Sequence, residues 1–134
     1  MTNPLSYTYI SKATTSFTQA FNHNDLDLVM SHFSENGSVY DQFDGTKAEG
    51  LRSIREALVP QFRGDYGQMR FIEEEMFCDA QNLKALIAWS CSLETKKGPG
   101  SWRGLDILHF NEQGKIITKK TYAKALTPKL TRNP

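Results

Sequence analysis

The second half of the chain contains four strand-length runs in succession, and this arrangement most restricts what the chain can fold into. The runs cover residues 69–78, 84–94, 102–110 and 115–124. Turn-forming residues separate them at 79–82, 97–100 and 111–114, and links this short suit antiparallel reversals. The sequence therefore predicts a four-stranded antiparallel meander.

The first half instead carries apolar residues at the three- and four-residue spacing of amphipathic helices. Three such stripes occur at Ile10, Ala13, Phe17, Ala20 and Phe21, at Leu26, Val29, Met30 and Phe33, and at Leu51, Ile54, Ala57 and Leu58. Asn24 is predicted to cap the second helix, Asn36-Gly37 to end it, and Pro60 to close the third within a residue or two. A short strand at 38–40 between the second and third helices should deliver Asp41.

Three helices followed by a meander predict an α+β fold in which the helices cover one face of the sheet. A strongly curved sheet with helices on its concave side forms a cone. Concavities of this kind are common binding sites for small molecules. The expected architecture is therefore three N-terminal helices packed on a strongly curved, mainly antiparallel sheet, with a small-molecule ligand as partner.

The totals favour a single domain over residues 1–134, with residues 125–134 as a polar C-terminal tail. Lys and Arg number 16 against 15 Asp and Glu, which gives a net charge of +1. This balance favours neither nucleic acid nor an anionic membrane surface as a partner. We find no signal peptide pattern and no apolar run near the roughly 18 residues of a membrane span, so the expected location is the cytoplasm.

Asp106 stands inside an otherwise apolar strand, flanked by Leu105 and Ile107. Strands disfavour aspartate unless something holds its carboxylate. If the loop at 111–114 contains an even number of residues, Asp106 faces Lys119 across the last hairpin, within reach of a lysine side chain. The pair is either a structural ion pair in a half-buried strand or a pair of pocket residues, and the sequence leaves both open.

The opposite face of the same hairpin is apolar in the middle and polar at its ends. By strand alternation this face should present Ile107 and Ile116, together with His109. Such a surface suggests a subunit interface. The sequence therefore predicts a homodimer formed through the outer face of the sheet.

Several segments resemble the ketosteroid isomerases. The run from Leu105 to Ile116, LDILHFNEQGKI, is similar to their late hairpin, and Ala20–Asp27, Ser38–Asp41 and Ser53–Glu56 resemble their first half in the same order and spacing. The resemblance covers about residues 10 to 124 and extends to the wider nuclear transport factor 2-like group, which includes the SnoaL-like polyketide cyclases. It implies the cone-shaped fold of that group.

The resemblance also implies catalytic roles. Asp41 matches the carboxylate that removes a proton beside a ketone, and Asp106 matches a protonated carboxylic acid that donates a hydrogen bond to the enolate oxygen. Three positions depart from the isomerases: Phe17 and Leu58 replace tyrosines, and Lys119 is a cation near Asp106. Because a nearby cation favours the ionised carboxylate, authentic steroid isomerisation is not expected.

The leading hypothesis is an isomerase- or cyclase-like enzyme that acts by carboxylate-mediated proton transfer on an apolar or carbonyl-bearing metabolite. Asp41 would be the general base, and Asp106 with Lys119 would polarise or orient the ligand. No cofactor or metal motif is present. The pocket wall is predicted to comprise Phe17, Tyr40, Leu58, Trp89, Leu108 and Ile117. The alternative is a non-catalytic binding or dimerisation module, since a fold does not fix a function.

Overall fold

A computed structural model of the protein describes residues 5–124. The elements in chain order are α1 (Tyr7–Ala20), a 3₁₀ turn (Phe21–His23), α2 (Leu26–Met30), β1 (Val39–Asp41), β2 (Lys47–Glu49), α3 (Leu51–Arg63), β3 (Gln68–Asp79), β4 (Lys84–Thr95), β5 (Gly98–Phe110) and β6 (Ile116–Lys124). The predicted polar tail at 125–134 lies outside the described residues. The predicted α+β layout of helices followed by a meander is confirmed.

The six strands form one sheet in the order β2-β1-β6-β5-β4-β3. The pairs from β3 to β6 are antiparallel, as the meander predicts, whereas β1 pairs parallel to β6. The short β1 and β2 strands extend the sheet beyond the four strands of the meander. No strand was predicted at β2, because the three residues Lys47–Glu49 are too few to establish a strand period.

Local sequence explains where α1 and α2 begin. The Ser6 hydroxyl accepts a hydrogen bond from the Tyr9 amide at 3.1 Å and caps α1. Asp25, rather than the predicted Asn24, caps α2, because its carboxylate accepts from the Leu28 amide at 3.1 Å. Asn24 instead adopts a left-handed backbone with φ 54°. Asparagine tolerates that conformation better than most residues.

The ends of α2 and α3 differ from the predictions. α2 stops at Met30, and Phe33 forms an isolated bridge with Ile116 instead of continuing the helix. α3 runs through Pro60 to Arg63. Proline removes one hydrogen bond, but the last turn is held by Phe62 packing against the core and by Gly64, a left-handed cap whose amide donates to the Gln61 carbonyl.

The last hairpin has a different register from the predicted one. Asp106 lies opposite Thr121, and Lys119 lies opposite Leu108. An irregularity between His109 and Phe110 shifts the pairing, so that Phe110 opposes Ile116. A bulge of this kind inserts an unpaired residue and moves the side chains that follow it. Ile116 is consequently buried in the core, not on the outer face where the sequence placed it.

The main core lies between the helices and the concave face of the sheet. Its largest fully buried side chains include Phe17, Phe110, Ile10, Ile54 and Ile116. A second, smaller cluster contains Phe71, Trp89 and Cys91 from β3 and β4. The main core fills one end of the concavity, and the second cluster forms part of the wall of the other end, which remains open.

Candidate functional site

The polar centre of the open end lies on the concave faces of β5 and β6. Asp106 comes from β5, and Lys119 and Thr121 come from β6. All three residues are buried. Strand alternation places them on one face because Lys119 and Thr121 are two residues apart and Asp106 pairs with Thr121. Lys119 is therefore the diagonal neighbour of Asp106 across the two strands, and the observed register still brings their side chains together.

The Asp106 carboxylate accepts hydrogen bonds from three donors. Lys119 Nζ donates to Oδ1 at 3.1 Å, the Thr121 hydroxyl donates to Oδ1 at 2.6 Å, and Trp89 Nε1 donates to Oδ2 at 3.2 Å. Lys119 Nζ also donates to the Thr121 hydroxyl at 2.6 Å, which closes a ring of three side chains. Because every partner of Asp106 is a donor, the geometry fits an ionised carboxylate.

Lys119 is held as an ammonium group in this buried position. Burial by itself lowers the pKa of Lys119, but the charge of Asp106, followed by Tyr40 and the hydrogen bond to Asp106, outweighs burial and raises that pKa above its usual value. Lys119 Nζ also lies 4.3 Å from the centre of the Tyr40 ring, a cation–π distance. Lysine in this state is a fixed positive charge rather than a nucleophile.

Gly104 makes room for the indole ring that reaches Asp106. A Cβ atom at this position would lie 2.6 Å from Trp89 Cη2 and 2.5 Å from the Tyr122 carbonyl oxygen. Gly104 pairs directly with Trp89 across β4 and β5. The absent side chain thus allows Trp89 to lie across the strand with its N–H directed at the carboxylate.

A cavity of about 370 Å³ surrounds the mouth of this polar centre. The residues that line it are Thr18, Phe21, Tyr40, Gln42, Phe43, Ala57, Leu58, Gln61, Tyr66, Met69, Phe71, Trp89, Leu93, Trp102, Asp106, Lys119 and Thr121. Aromatic rings dominate this wall, and several meet edge to face: the Trp89 ring centre lies 5.1 Å from that of Phe71 and 5.0 Å from that of Trp102. Its ionised groups are one acid and one base, which balance each other.

The structure brings five of the predicted site residues to this cavity. They are Tyr40, Leu58, Trp89, Asp106 and Lys119. Tyr40 is adjacent to Lys119 through the parallel pairing of β1 with β6. Their functional roles remain predictions, but their common location follows from the sheet topology.

Asp41, the predicted general base, is not among the residues that line the cavity. Tyr40 uses the concave side of β1, so its neighbour Asp41 faces the opposite side of the strand. Asp41 pairs there with Lys47 of β2 and Lys120 of β6, two cations in the adjacent strands. Lysines at both neighbouring register positions favour an acidic residue at position 41 on this face of the sheet.

Three other predicted wall residues also lie outside the cavity lining. Phe17 and Leu108 are fully buried in the main core. Ile117 is half-buried next to the hairpin bulge. Its predicted place in the pocket assumed a hairpin without this bulge. Phe17 therefore contributes packing at the position where the isomerases have a tyrosine.

The sequence reasoning missed much of the aromatic wall. Phe71 and Trp102 could have been found by strand phase, since they share the concave face with Trp89, whereas Phe43 and Tyr66 lie in connections that carry no periodic signal. Gly104 also carried a usable signal, because a glycine within a strand often marks a close approach by another group.

No group of three or more His, Cys, Asp or Glu side chains among residues 5–124 is arranged to hold a metal ion. Within the same range, none of the helices has the length and apolar character needed to cross a bilayer. The two cysteines are free thiols. Burial raises the pKa of both Cys78 and Cys91, which favours the unreactive protonated form.

Solved structures with the same fold define the class of protein. A protein of unknown function with a cystatin-like fold from Methylobium petroleophilum PM1 is 16% identical with a TM-score of 0.76, over 96% of this chain and 84% of that one. An NTF2-like protein of unknown function from Exiguobacterium sp. 255-15 is 15% identical with a TM-score of 0.69, over 84% and 98%. These similarities establish the nuclear transport factor 2-like fold.

A third similar structure is the epoxide hydrolase/cyclase-like enzyme SalBIII, which acts in pyran ring formation in the polyether salinomycin. It is 12% identical with a TM-score of 0.74, over 86% of this chain and 90% of that one. A comparison with curated protein sequences finds no match. The model of the SnoaL-like domain matches residues 14–118. The chain belongs to the SnoaL-like domain family.

Proposed function

We propose that this protein is an isomerase- or cyclase-like enzyme that binds an uncharged, largely apolar metabolite and transfers a proton through the Asp106 carboxylate. The observation that carries the proposal is a buried acid at the end of an aromatic cavity, whose carboxylate is contacted by three hydrogen-bond donors. Because all three contacts come from donors, the carboxylate can accept a proton without first losing one. This assigns to Asp106 the role of general base that the resemblance to the isomerases implies for Asp41.

The two oxygens of Asp106 are not equivalent. Oδ1 accepts hydrogen bonds from Lys119 and Thr121, whereas Oδ2 accepts only from Trp89. Oδ2 therefore has the greater remaining capacity for a proton from a ligand. A proton beside a carbonyl, or on a hydroxyl group that attacks another carbon, would be removed by this oxygen and returned at a second position.

The charge balance of the cavity supports an uncharged ligand. Asp106 and Lys119 neutralise each other, and the other lining residues are apolar or neutral and polar. A charged ligand would leave a net charge in a low-dielectric site, which is costly. Ring closure by a hydroxyl group is one reaction that such a base can serve, and SalBIII, of similar fold, acts in the formation of a ring.

The base can be tested with 5-nitrobenzisoxazole, a neutral aromatic compound that opens when a base removes its ring proton. The test variant is Asp106→Asn combined with Lys119→Met, because changing both residues leaves no unpaired charge. We expect the unaltered protein to accelerate ring opening, the double variant to lose the activity, and Asp41→Asn to keep it. Loss in Asp41→Asn with retention in the double variant would transfer the role to Asp41.

One observation favours the second candidate function, a non-catalytic binding module. The closed ring of Lys119, Asp106 and Thr121 satisfies these groups internally, and the side chains of Lys119 and Asp106 are only 5% and 7% exposed. A purely structural pair would behave in this way. Binding of 5-nitrobenzisoxazole without any acceleration would support this function against the first.

We also propose that the protein forms a homodimer through the outer face of its sheet. Phe77, Leu86 and Ile107 stand side by side across β3, β4 and β5 on that face, and Phe77 is 65% exposed. Phe77→Glu should halve the mass measured by analytical ultracentrifugation. Tyr7→Glu, which changes a ring of similar exposure (58%) on α1, is the matched control and should leave the mass unchanged.

A further inference from the structure

A second cavity, of about 320 Å³, adjoins the aromatic one at the open end of the fold. Phe21, Gln61 and Met69 line both cavities and form the boundary between them. The remaining residues around the second cavity are Asn22, Asn24, Phe62, Arg63, Gly64, Gly67 and Gln68. It is thus bounded by the 3₁₀ turn, the end of α3 and the start of β3.

The two cavities differ in chemistry. Four side-chain amides surround the second cavity, whereas aromatic rings dominate the first. Among residues 5–124, no acidic residue lines the second cavity. The charge of its only base, Arg63, is engaged by Asp65 through two hydrogen bonds, Nε to Oδ1 at 2.9 Å and a terminal nitrogen to Oδ2 at 2.6 Å.

Three of the four amides have hydrogen-bonding capacity to spare. The Asn22 amide is occupied, since it donates to the Phe71 carbonyl at 2.8 Å and accepts from the Phe71 amide at 2.7 Å, which fixes the boundary to β3. Asn24 and Gln68 are exposed and Gln61 is half-buried, and none of these three side chains makes a hydrogen bond to another residue within 5–124. Carboxamides both donate and accept, so they complement hydroxyl groups.

We infer that the ligand has two parts: an apolar, ring-shaped body in the aromatic cavity and a neutral arm bearing several hydroxyl groups, such as a sugar, in the amide-lined cavity. This inference rests on the proposed function, because the body is placed by the same Asp106 site. Of the three residues at the boundary, Gln61 is the one whose side-chain amide can both donate and accept hydrogen bonds. It is therefore expected to determine specificity for the arm.

Two neutral probes separate the arm from the body: 2,6-dihydroxynaphthalene and its mono-β-D-glucoside. Each has a naphthalene body and a free hydroxyl group for Asp106, and only the second carries the sugar. Binding to the full chain is measured by isothermal titration calorimetry. Two or three hydrogen bonds to the sugar should make the glucoside bind at least about 10-fold more tightly than the parent diol.

The variant Asn24→Gly with Gln68→Leu removes two of the available amides at positions that line only the second cavity, and glycine keeps the left-handed backbone of residue 24. We expect it to abolish the advantage of the glucoside and to leave the affinity for the diol within about 2-fold. Gln113→Leu, in the turn between β5 and β6 and outside both cavities, is the control for an added apolar side chain. Circular dichroism verifies that each variant is folded.

The outcomes distinguish this inference from the proposed function. Equal affinities for the two probes, or a glucoside advantage that survives in the variant Asn24→Gly with Gln68→Leu, would overturn the two-part ligand while leaving the Asp106 assignment intact. Failure of both probes to bind would overturn the inference together with the ligand site. Loss of nitrobenzisoxazole opening in the variant Asn24→Gly with Gln68→Leu would indicate damage beyond the arm and count against the inference.

Discussion

Two ion pairs link strands of the same sheet on opposite faces. The pair with more hydrogen bonds is expected to contribute less to stability than the pair with fewer. The outer pair, Arg103 with Glu74, is bidentate, with distances of 3.0 and 2.9 Å, and its side chains are 59% and 33% exposed. The inner pair, Lys119 with Asp106, makes a single contact of 3.1 Å, but the two side chains are only 5% and 7% exposed.

The difference shows that solvent, rather than the number of contacts, decides what an ion pair contributes. Water screens the outer pair and would solvate either partner if the other were lost. The inner pair has no such replacement, because its neighbours are aromatic rings and one threonine hydroxyl. Removing one partner there leaves a buried, uncompensated charge.

The largest effect is expected from breaking the inner pair on one side. Asp106→Asn or Lys119→Met should each lower the free energy of unfolding by about 3–5 kcal/mol, as for other buried pairs. The double variant should recover much of that loss, because it leaves no charge behind. Urea denaturation of the three variants measures this coupling, and additive losses would contradict the buried-charge explanation.

Raising the pH should break the inner pair without a mutation. The pKa of Lys119 is raised in the folded state, so the folded protein holds this proton after the unfolded chain has released it near pH 10.5. The stability due to this group is complete below that pH and is lost as the pH rises through the folded-state pKa. Denaturation from pH 8 upward should show a steeper decline for the unaltered protein than for the double variant.

An intermediate effect is expected at Gly104. Gly104→Ala should lower the free energy of unfolding by about 1–3 kcal/mol, because its Cβ would collide with Trp89 and with backbone. Gly100→Ala on the same strand is a close control, since its Cβ would come no nearer than 3.9 Å to Leu93. Near-ultraviolet circular dichroism should report the displaced indole in the first variant and no change in the second.

The smallest effect is expected at the outer pair. Arg103→Met should lower the free energy of unfolding by about 0.2–1 kcal/mol, despite the loss of two hydrogen bonds. The effect should decrease further at high salt, which screens exposed charges. If Arg103→Met lowered the free energy of unfolding as much as Lys119→Met does in the same urea titration, solvent exposure would not explain the difference between the two ion pairs.

The strand pattern of the sequence was sufficient to predict the layout of the fold and the location of Asp106 and Lys119 on one face. A register shift of two residues leaves every side chain on the same face of the sheet. The partner predicted for Asp106 was therefore wrong, but the predicted face was right. The register itself depends on the irregularity at His109 and Phe110, which is associated with tertiary contacts such as the hydrogen bond from the Phe110 amide to the Leu83 carbonyl.

The position of Asp41 could not be obtained in the same way. A three-residue strand has too few alternations to show which side chain points inward, and the resemblance to the isomerases supplied an orientation that this chain does not adopt. The parallel pairing of Tyr40 with Lys119 decides the question, and it joins segments far apart in sequence. The course of α3 beyond Pro60 was likewise set by packing rather than by local preference.

The parallel pairing of β1 with β6 also has a consequence for how the protein is made. Tyr40 cannot meet Lys119 until the final strand has been synthesised and has left the ribosome. Contacts between distant segments form slowly, because closing the long intervening loop costs conformational entropy before the contacts stabilise the fold. We expect the helices and the β3–β4 hairpin to gain structure first, and the binding cavity to be completed in the last step of folding.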